Sequence, residues 1–593
     1  MKTSPQALLC VLILLCQTQV YGVNITDLVF GKAANYMPAA FGDFDSDKHT
    51  DMIVLTEDLK TVKVLISNLE APLLRESDQG LSCTFEKLWI KSIVPGDFDG
   101  NGAMDLLLVP FNKDSRLYEV YVLWGNQKNM TLNCTLEDKP LMRLKSQPLV
   151  MDVNGDMIPD LFGEDENSTR TFWIFEPKGP PRPEPMVAPD LKPLPHLSLP
   201  SSHAFIDLDS DLAADLWITA EGQFEIWSSI DGKYSLNKTI TIPEGLQHVG
   251  QTAFADVNLD GNIEAIIPVC NDANCKKSYL AVYDFRKSLW NFLDVNFVED
   301  DGTIWAFPFA PSSYRFLDTV TLRVGDFNLD GYPDFLVTLV DASQKPRVIL
   351  MENTECDDSS CQYQRKFVNQ WNLFKDFGET VLGTFCDFQE DGTLDVLLVQ
   401  KTDDGKYHMN VYKDSVEYDA VFVKVLIGGC YGEICKLQTV PYGTNQPGPS
   451  IRYSITTAKG GTQCSRATQL SQTAHSVLQL PYTIFGLGRN WNFVEVLDVG
   501  IPKGNYSDTL TSSFTQIIPN SQLIVIPYPM EHPDQWVSKL FITPSKAMLM
   551  TAGALIGTCL FVAAIIGILH RREKQQDKRE KQQEAHKFHF DAM

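Results

Sequence analysis

Several catalytic signatures are missing from this sequence. It has no HExxH, no GxSxG and no Walker A pattern, so zinc hydrolysis, a nucleophile elbow and P-loop phosphate chemistry are not read from it. Histidine is sparse, ten residues in 593, and scattered. Positive charge is also in short supply: 50 Lys and Arg face 75 Asp and Glu, a net charge of -25. Such a chain repels nucleic acid and anionic lipid, so no nucleic-acid partner is expected. It attracts cations wherever its carboxylates cluster. Long uncharged apolar runs are few, and the two that exist frame the chain.

The first run, Ala7 to Cys16, follows Lys2 and precedes small residues at Val20 and Gly22; it reads as a signal peptide over 1–22. The second, Ala547 to Leu569, is 23 residues without a charge, enough to cross the hydrocarbon core as a helix. His570-Arg-Arg-Glu-Lys574 follows at once and marks the cytoplasmic side. The expected topology is single-pass type I at the plasma membrane, with ectodomain shedding left open. The transmembrane helix spans 546–569 and a short cytoplasmic tail 570–593. All of the acidic excess then lies outside the cell.

Cysteine usage fits an oxidising compartment. Three pairs share a C-x4-C spacing: Cys270 with Cys275, Cys356 with Cys361, and Cys430 with Cys435. All three read as local disulfides closing short loops. The pairing of Cys83, Cys134, Cys386 and Cys464 is left open. Six N-x-S/T sequons, at Asn24, Asn129, Asn133, Asn167, Asn237 and Asn505, all fall outside the span and tail, as glycosylation of a secreted segment requires.

One pattern organises the first 415 residues. Acids or amides recur at positions 1, 3, 5 and 9 of a short loop, seven times. The copies are Asp43, Asp45, Asp47, Asp51; Asp97, Asp99, Asn101, Asp105; Asp152, Asn154, Asp156, Asp160; and Asp207, Asp209, Asp211, Asp215. Then follow Asp256, Asn258, Asp260, Glu264; Asp326, Asn328, Asp330, Asp334; and Asp387, Gln389, Asp391, Asp395. Successive copies start 49 to 70 residues apart, room for a four-stranded blade. Apolar runs flank each loop, such as Ile93-Val94 before and Leu106-Leu-Leu-Val109 after. A third follows some twenty residues on, such as Tyr121-Val-Leu-Trp124. Short runs rich in β-branched and aromatic residues are strands. A blade cannot bury both faces alone and must stack on neighbours. Seven copies close a ring, whereas an open array would leave two uncapped edges. The expectation is an all-β chain with a seven-bladed β-propeller over 23–415. The interval Pro177 to Pro200 holds nine prolines and reads as an extended surface connection.

The loops suit Ca2+. A hard cation takes six to eight oxygens, and oxygens at positions 1, 3, 5 and 9 of a tight loop can converge on one point. Glycine at position 6, present as Gly102, Gly261, Gly331 and Gly392, permits the sharp turn. Strand-like flanks and no Glu at position 12 exclude an EF-hand. Solvated Asx turns are the alternative, but turns do not need three or four acids each, and like charges this close call for a cation. Loops one, two, three and six fit the pattern best, and the other three rank lower. Loop four has Leu212 at position 6, loop five Glu264 at position 9 and loop seven Gln389 at position 3. Several structural calcium sites are expected.

The Phe41-Gly42-Asp43 opening and the repeated Gly-Asp-Phe-Asp-Gly and Gly-Asp-Phe-Asn-Leu-Asp-Gly loops resemble FG-GAP repeats, as in integrin α-chain propellers. From signal to the tail Glu584-Ala-His-Lys-Phe-His-Phe-Asp-Ala-Met593, the chain is similar to the T-cell immunomodulatory protein (linkin) family. That resemblance implies a cell-surface glycoprotein linked to T-cell modulation and to cell adhesion.

Residues 416–545 lack the Asp loops. Val421-Phe-Val-Lys-Val-Leu426, Phe493-Val-Glu-Val-Leu497 and Gln522-Leu-Ile-Val-Ile-Pro527 read as strands of a small membrane-proximal β-sandwich. The stretch from Phe485 to Pro502 resembles the domain that follows FG-GAP repeats in cartilage acidic proteins. In the tail, Glu573-Lys-Gln-Gln-Asp-Lys-Arg579 is echoed by Glu580-Lys-Gln-Gln-Glu584. With no apolar seam, it reads as a solvated helix and a candidate adaptor site. The expected partners are an extracellular protein counter-receptor on other cells and a cytosolic adaptor on the tail. A modulator of T-cell function acting through protein binding is the first reading, a cell-adhesion receptor the second. A calcium-dependent hydrolase using the propeller's central funnel is the third.

Overall fold

In the computed structural model the described residues are 22–541 and 546–590, except 78–79, 127–130, 188–192, 231, 273–274, 276, 294, 310–313, 357–360, 362–363, 415–419, 430–444, 458–459, 473–476 and 507. The signal peptide up to residue 21 and the sequon residue Asn129 lie outside the described residues.

Seven antiparallel sheets follow one another along the chain, each built around a first strand that precedes an Asp loop and a second that leaves it. Blade one has Met37–Gly42, Asp51–Leu55, Thr61–Ser67 and Leu74–Glu76, with Ser82–Thr84 also paired to its third strand. Blades two to six begin at Ile90, Leu149, Ala204, Ala253 (with His248–Val249 beside the same second strand) and Arg323. Blade seven supplies three strands of its own, Thr380–Cys386, Asp395–Lys401 and Tyr407–Lys413. Its fourth is the two-residue strand Val23–Asn24 from the start of the propeller, with Val23 opposite Lys413 and Asn24 opposite Tyr412. The start and the end of the propeller thus share one sheet, which closes the ring.

The apolar pattern explains the stacking. Second strands are buried throughout, as in Asp105–Asn112 up to Pro110 and in Asp334–Val340. A sheet covered on both faces reads as a continuous apolar run. The buried clusters are each shared between neighbours. Val94, Leu107 and Val120 of blade two pack with Val150, Leu161 and Trp173 of blade three. Trp217 and Phe224 of blade four pack with Ala265, Ile267 and Tyr283 of blade five. The cluster holding Met52, Val54 and Val64 joins blade one to blade two and to Leu397, Met409 and Val411 of blade seven. The proline-rich interval contains an element that sequence reading does not place there: Arg182–Pro185 is the outermost strand of blade three, paired with Arg170–Ile174. Its outer edge needs no donors, so Pro183 and Pro185 are tolerated.

Three disulfides tie the propeller together. Two of the three expected C-x4-C bridges are formed: Cys270–Cys275 and Cys356–Cys361 close short loops. The third expected pair, Cys430 and Cys435, falls within residues 430–444, outside the described residues, so its bridge stands only as an expectation of spacing. The other disulfide is one that spacing leaves open. Cys83–Cys134 joins the extra strand of blade one to the hairpin Gly125–Asn126/Thr131–Leu132 after blade two's third strand. Cys386 and Cys464 are thiols.

Beyond the propeller, two four-stranded sheets face each other. One is ordered Thr483–Gly486, Phe422–Ile427, Ser521–Ile526, Val537–Phe541; the other Thr462–Thr468, Ser450–Thr456, Val494–Ile501, Leu510–Ile517. Phe422–Ile427 and Ser521–Ile526 run parallel. Val421, Val423, Val425 and Ile427 meet Ile451, Tyr453, Leu497 and Val499 in the sandwich core. Residues 542–593 form a separate unit holding one helix, Lys546–Phe590, which runs from the apolar segment into the charged tail without a break. It is long and apolar enough to cross a membrane, consistent with a single-pass membrane protein.

Candidate functional site

The seven Asp loops share one hydrogen-bond pattern. Positions 4 and 6 have positive φ in every copy: Ser46 and Lys48, Gly100 and Gly102, Gly155 and Met157, Ser210 and Leu212, Leu259 and Gly261, Leu329 and Gly331, Glu390 and Gly392. The alternation curls the chain so that successive N–H groups point inward, a concave nest for negative charge. The position-1 carboxylate accepts the N–H of position 6 in all seven, from 2.8 Å for Gly102 to 3.1 Å for Leu212 and Lys48. Position 3 accepts the N–H of position 5 in loops one to six. Position 5 accepts the N–H of position 7 in all seven.

The position-9 acid has a different job. One oxygen accepts the N–H of position 2 in every loop, as Asp105 does from Phe98 at 2.9 Å and Glu264 from Val257 at 3.0 Å. In loops one, two, three and six the second oxygen accepts an N–H at the end of the third strand: Ser67, Gly125, Phe175 and Asn353, at 2.7 to 2.8 Å. This side chain staples the loop to its own blade.

Burial makes the negative charge expensive. Asp51, Asp105, Asp152 and Asp160 have no exposed surface. Burial first, and neighbouring carboxylates next, hold Asp51, Asp105 and Asp334 well above the usual carboxylate range. Burial raises Asp256 to about 7, Glu264 to about 9 and Asp395 to about 8, despite the backbone N–H bonds that oppose it. Three side-chain sets bring ligand oxygens within 4.8 Å of one another: Asp43, Asp45 and Asp51; Asp97, Asp99 and Asp105; Asp207, Asp209 and Asp211. Buried oxygens of Asp43, Asp326 and Asp395 lack a hydrogen-bond partner. These donors are carboxylate and amide oxygens with acceptor capacity to spare, the chemistry a hard divalent cation needs.

Cations of the chain itself enter three loops, and sequence reading does not anticipate them. Lys48, at position 6 of loop one, folds back to place Nζ 2.9 Å from Asp43. Arg466 of the sandwich reaches Asp207 of loop four at 2.5 Å, beside Ser450 Oγ at 3.0 Å. Lys424 of the sandwich lies 3.0 Å from Asp387 of loop seven and also bonds Glu390. A signal for Lys424 exists in hindsight: it is the one charge in the apolar run Val421 to Leu426.

The loop face of the propeller is therefore the seat of the sandwich. His49 of loop one meets the Phe541 ring at 5.4 Å. Asn505 donates its N–H to Asn154 of loop three, and Gly488 to Leu329 of loop six. Met157 packs with Ile501, Leu510 and Trp536. Residues 469–472 and 477–482 reach the ring's axis. Ser471 bonds Val150 in the innermost strand of blade three, Gln472 bonds Ala39 in that of blade one, and Arg323 of blade six bonds Val477. Three first strands from around the ring contact one short segment, which places it in the central channel. Beside it, a cavity of about 220 Å³ is lined by Ser202, Gln251, Thr321 and Arg323 among apolar neighbours.

Among the sequon residues, Asn24, Asn133, Asn167, Asn237 and Asn505 are exposed. Asn24 also orders the first turn after the closing strand, its Oδ1 accepting the Thr26 N–H at 3.0 Å.

Comparison with known proteins places these features in context. A family model described as "ITFG1, C2 domain" matches residues 441–541, most of the sandwich. The T-cell immunomodulatory protein of Homo sapiens is 40% identical over 96% of this chain and 94% of its own length; that of Mus musculus is 41% identical over the same shares. Protein linkin of Caenorhabditis elegans is 28% identical over 93% of this chain and 95% of its own. Among solved structures, the Dos1 propeller covers 62% of this chain and 76% of its own at a TM-score of 0.32 and 9% identity, and nothing is built on so loose a likeness. Full-length similarity at this identity shows that the chain belongs to the T-cell immunomodulatory protein family.

Proposed function

We propose that this chain is a cell-surface, single-pass type I glycoprotein that modulates T-cell function by binding an extracellular protein, its propeller stabilised by calcium. The observation that carries the reading is the 40% identity to the human T-cell immunomodulatory protein over 96% of the chain. The apolar helix supports membrane attachment, and exposed sequons at Asn24, Asn133, Asn167, Asn237 and Asn505 support glycosylation.

Calcium has its best donor set in loop two, where Asp97, Asp99 and Asp105 converge and Asn101 adds an amide. Loops three, five and six offer Asp152, Asn154 and Asp156, then Asp256, Asn258 and Asp260, then Asp326, Asn328 and Asp330. A bound ion there neutralises carboxylates that burial otherwise penalises. Its role is structural, since these loops sit under the sandwich.

Protein binding is favoured over hydrolysis in a central funnel, because Ser471, Gln472 and Val477 bond first strands on the axis that a funnel site would need. The test uses the full chain in lipid nanodiscs with calcium, titrated onto T cells. Saturable binding accompanied by a changed cytokine output is expected. Binding that does not saturate, or that matches empty nanodiscs, refutes the reading.

A further inference from the structure

Of the three loops that a cation of the chain enters, loop seven takes two ammonium groups where loops one and four take one cation each. The sandwich strand Phe422–Ile427 alternates: Val423, Val425 and Ile427 point into the sandwich core, so Phe422 and Lys424 point the other way, onto the propeller. Phe422 lies flat against Gly392, where a Cβ would come within 1.9 Å of its ring. Lys424, 4% exposed, inserts its ammonium between Asp387, at 3.0 Å, and Glu390, and over the Tyr482 ring at 4.0 Å from the centroid. The Tyr482 hydroxyl accepts the Asp387 N–H at 3.0 Å. From the propeller side, Lys413 bonds Gln389 and reaches Asp391 at 2.7 Å.

Oxygen by oxygen, positions 1, 3 and 5 are engaged, while Asp395 at position 9 accepts the Phe388 N–H through Oδ2 and keeps Oδ1 without a partner. Asp387 gives Oδ1 to the Asp391 N–H and Oδ2 to the Gly392 N–H and Lys424. Gln389 gives its Oε1 to Lys413. Asp391 gives Oδ1 to the Thr393 N–H and hydroxyl, and Oδ2 to Lys413. Two ammonium groups carry the charge of one divalent ion, and between them they engage oxygens of positions 1, 3 and 5. In loops one, two and four three carboxylates still meet within 4.8 Å.

We propose that loop seven takes no divalent cation: Lys424 and Lys413 stand in its place, and Lys424 makes the loop the socket that seats the sandwich on the propeller. The proposal confines the calcium reading to other loops and does not depend on it. A buried ammonium paired this way fixes position more than it adds stability, yet removing one partner is strongly destabilising because the other charge stays buried.

The test is a thermal cycle on the full chain in detergent and chelator. Lys424→Met in the wild-type background is expected to lower Tm by about 3 °C or more. In the Asp387→Asn/Glu390→Gln background the same substitution is expected to lower it by under about 1 °C. Equal losses in the two backgrounds, or failure of both variants to fold, overturn the proposal; misfolding of the single variant alone is its extreme expected form. Bound calcium per chain supplies a second readout. Asp387→Asn leaves the wild-type count unchanged, and loss of one ion overturns the proposal. A wild-type count of zero sinks the calcium reading and leaves the thermal cycle to decide this one.

Discussion

Acidifying the calcium-free protein from pH 8 to pH 5 is expected to stabilise it, the reverse of ordinary acid denaturation. Asp256 shows the size of the effect. Burial raises it to about 7, against roughly 3.9 in an unfolded chain. A folded-state value above the unfolded one gives stability that is full below the unfolded value and is lost as pH rises through the folded value. Between pH 8 and pH 5, Asp256 alone then contributes about 2.6 kcal/mol in favour of the folded state. Asp215 at about 7, Glu264 at about 9 and Asp395 at about 8 act in the same direction. His203 opposes them: burial lowers it to about 3, so the unfolded chain takes up its proton first, a loss of about 2 kcal/mol at pH 5. Carboxylates held low, such as Glu164 and Glu225, cost stability only below about pH 4.5. Raised acids outnumber the histidine, so the net slope favours acid. The assay is denaturant unfolding of the full chain in detergent with chelator at pH 8, 7, 6 and 5. Asp256→Asn should flatten the profile by its share. In saturating calcium the slope should invert, because protons compete with the ion for the same oxygens. A chelated protein that loses stability steadily from pH 8 to pH 5 would refute the reasoning.

Three further outcomes are expected. Arg170 pairs with buried Glu225 between blades three and four, at 2.7 Å and 3.3 Å, and also bonds Pro195 O. Arg170→Met should cost about 3–5 kcal/mol in chemical unfolding, and a cost no larger than that of the exposed Arg182→Met would contradict this. Cys83–Cys134 closes a separation of 51 residues, so Cys134→Ser should cost about 4 kcal/mol on the chain-entropy model, read as a lower denaturant midpoint with a steeper slope, since the uncrosslinked denatured chain exposes more surface. Gly392 has φ +82 under the Phe422 ring, whereas Gly405 has φ +83 with open space around it. Gly392→Ala should raise hydrogen exchange across Phe422–Ile427 while Gly405→Ala leaves it at the wild-type rate, and equal exchange in the two would show that Phe422 is not seated there.

Much of the propeller is legible because its repeat is local. Acids at fixed offsets mark each strand-loop-strand unit, and the first and second strands begin where the apolar runs place them. Closure is not legible. Val23–Asn24 is two residues with no pattern of their own, and their place beside Lys413 is set by geometry 389 residues away. The αL positions are half legible: Gly102, Gly261, Gly331 and Gly392 announce themselves, while Lys48, Met157 and Leu212 adopt the same φ because the hydrogen bonds of the loop require it. Spacing alone also makes the position-9 acid look like its companions at 1, 3 and 5, since the N–H groups it staples come from a strand some twenty residues on. The sandwich strands are visible, but their docking on the Asp loops is a long-range pairing of Lys424 and Arg466 with acids that local patterning cannot match to them.

Closure by Val23–Asn24 sets a schedule for the chain. Synthesis delivers this strand first and its partner Tyr407–Lys413 nearly four hundred residues later, so the opening segment must stay unpaired while six blades are made. Long-range pairing of this kind is slow to form. The join itself is only two residues deep, and Lys413 serves it twice, lying opposite Val23 while its ammonium holds loop seven. A nascent chain that misses this pairing leaves an open edge on blade seven and a seam on the sheet it was meant to complete. The exposed sequon residue Asn24 is built into the closing strand, so under the glycoprotein reading proposed above a glycan there would sit beside the last contact the ring makes.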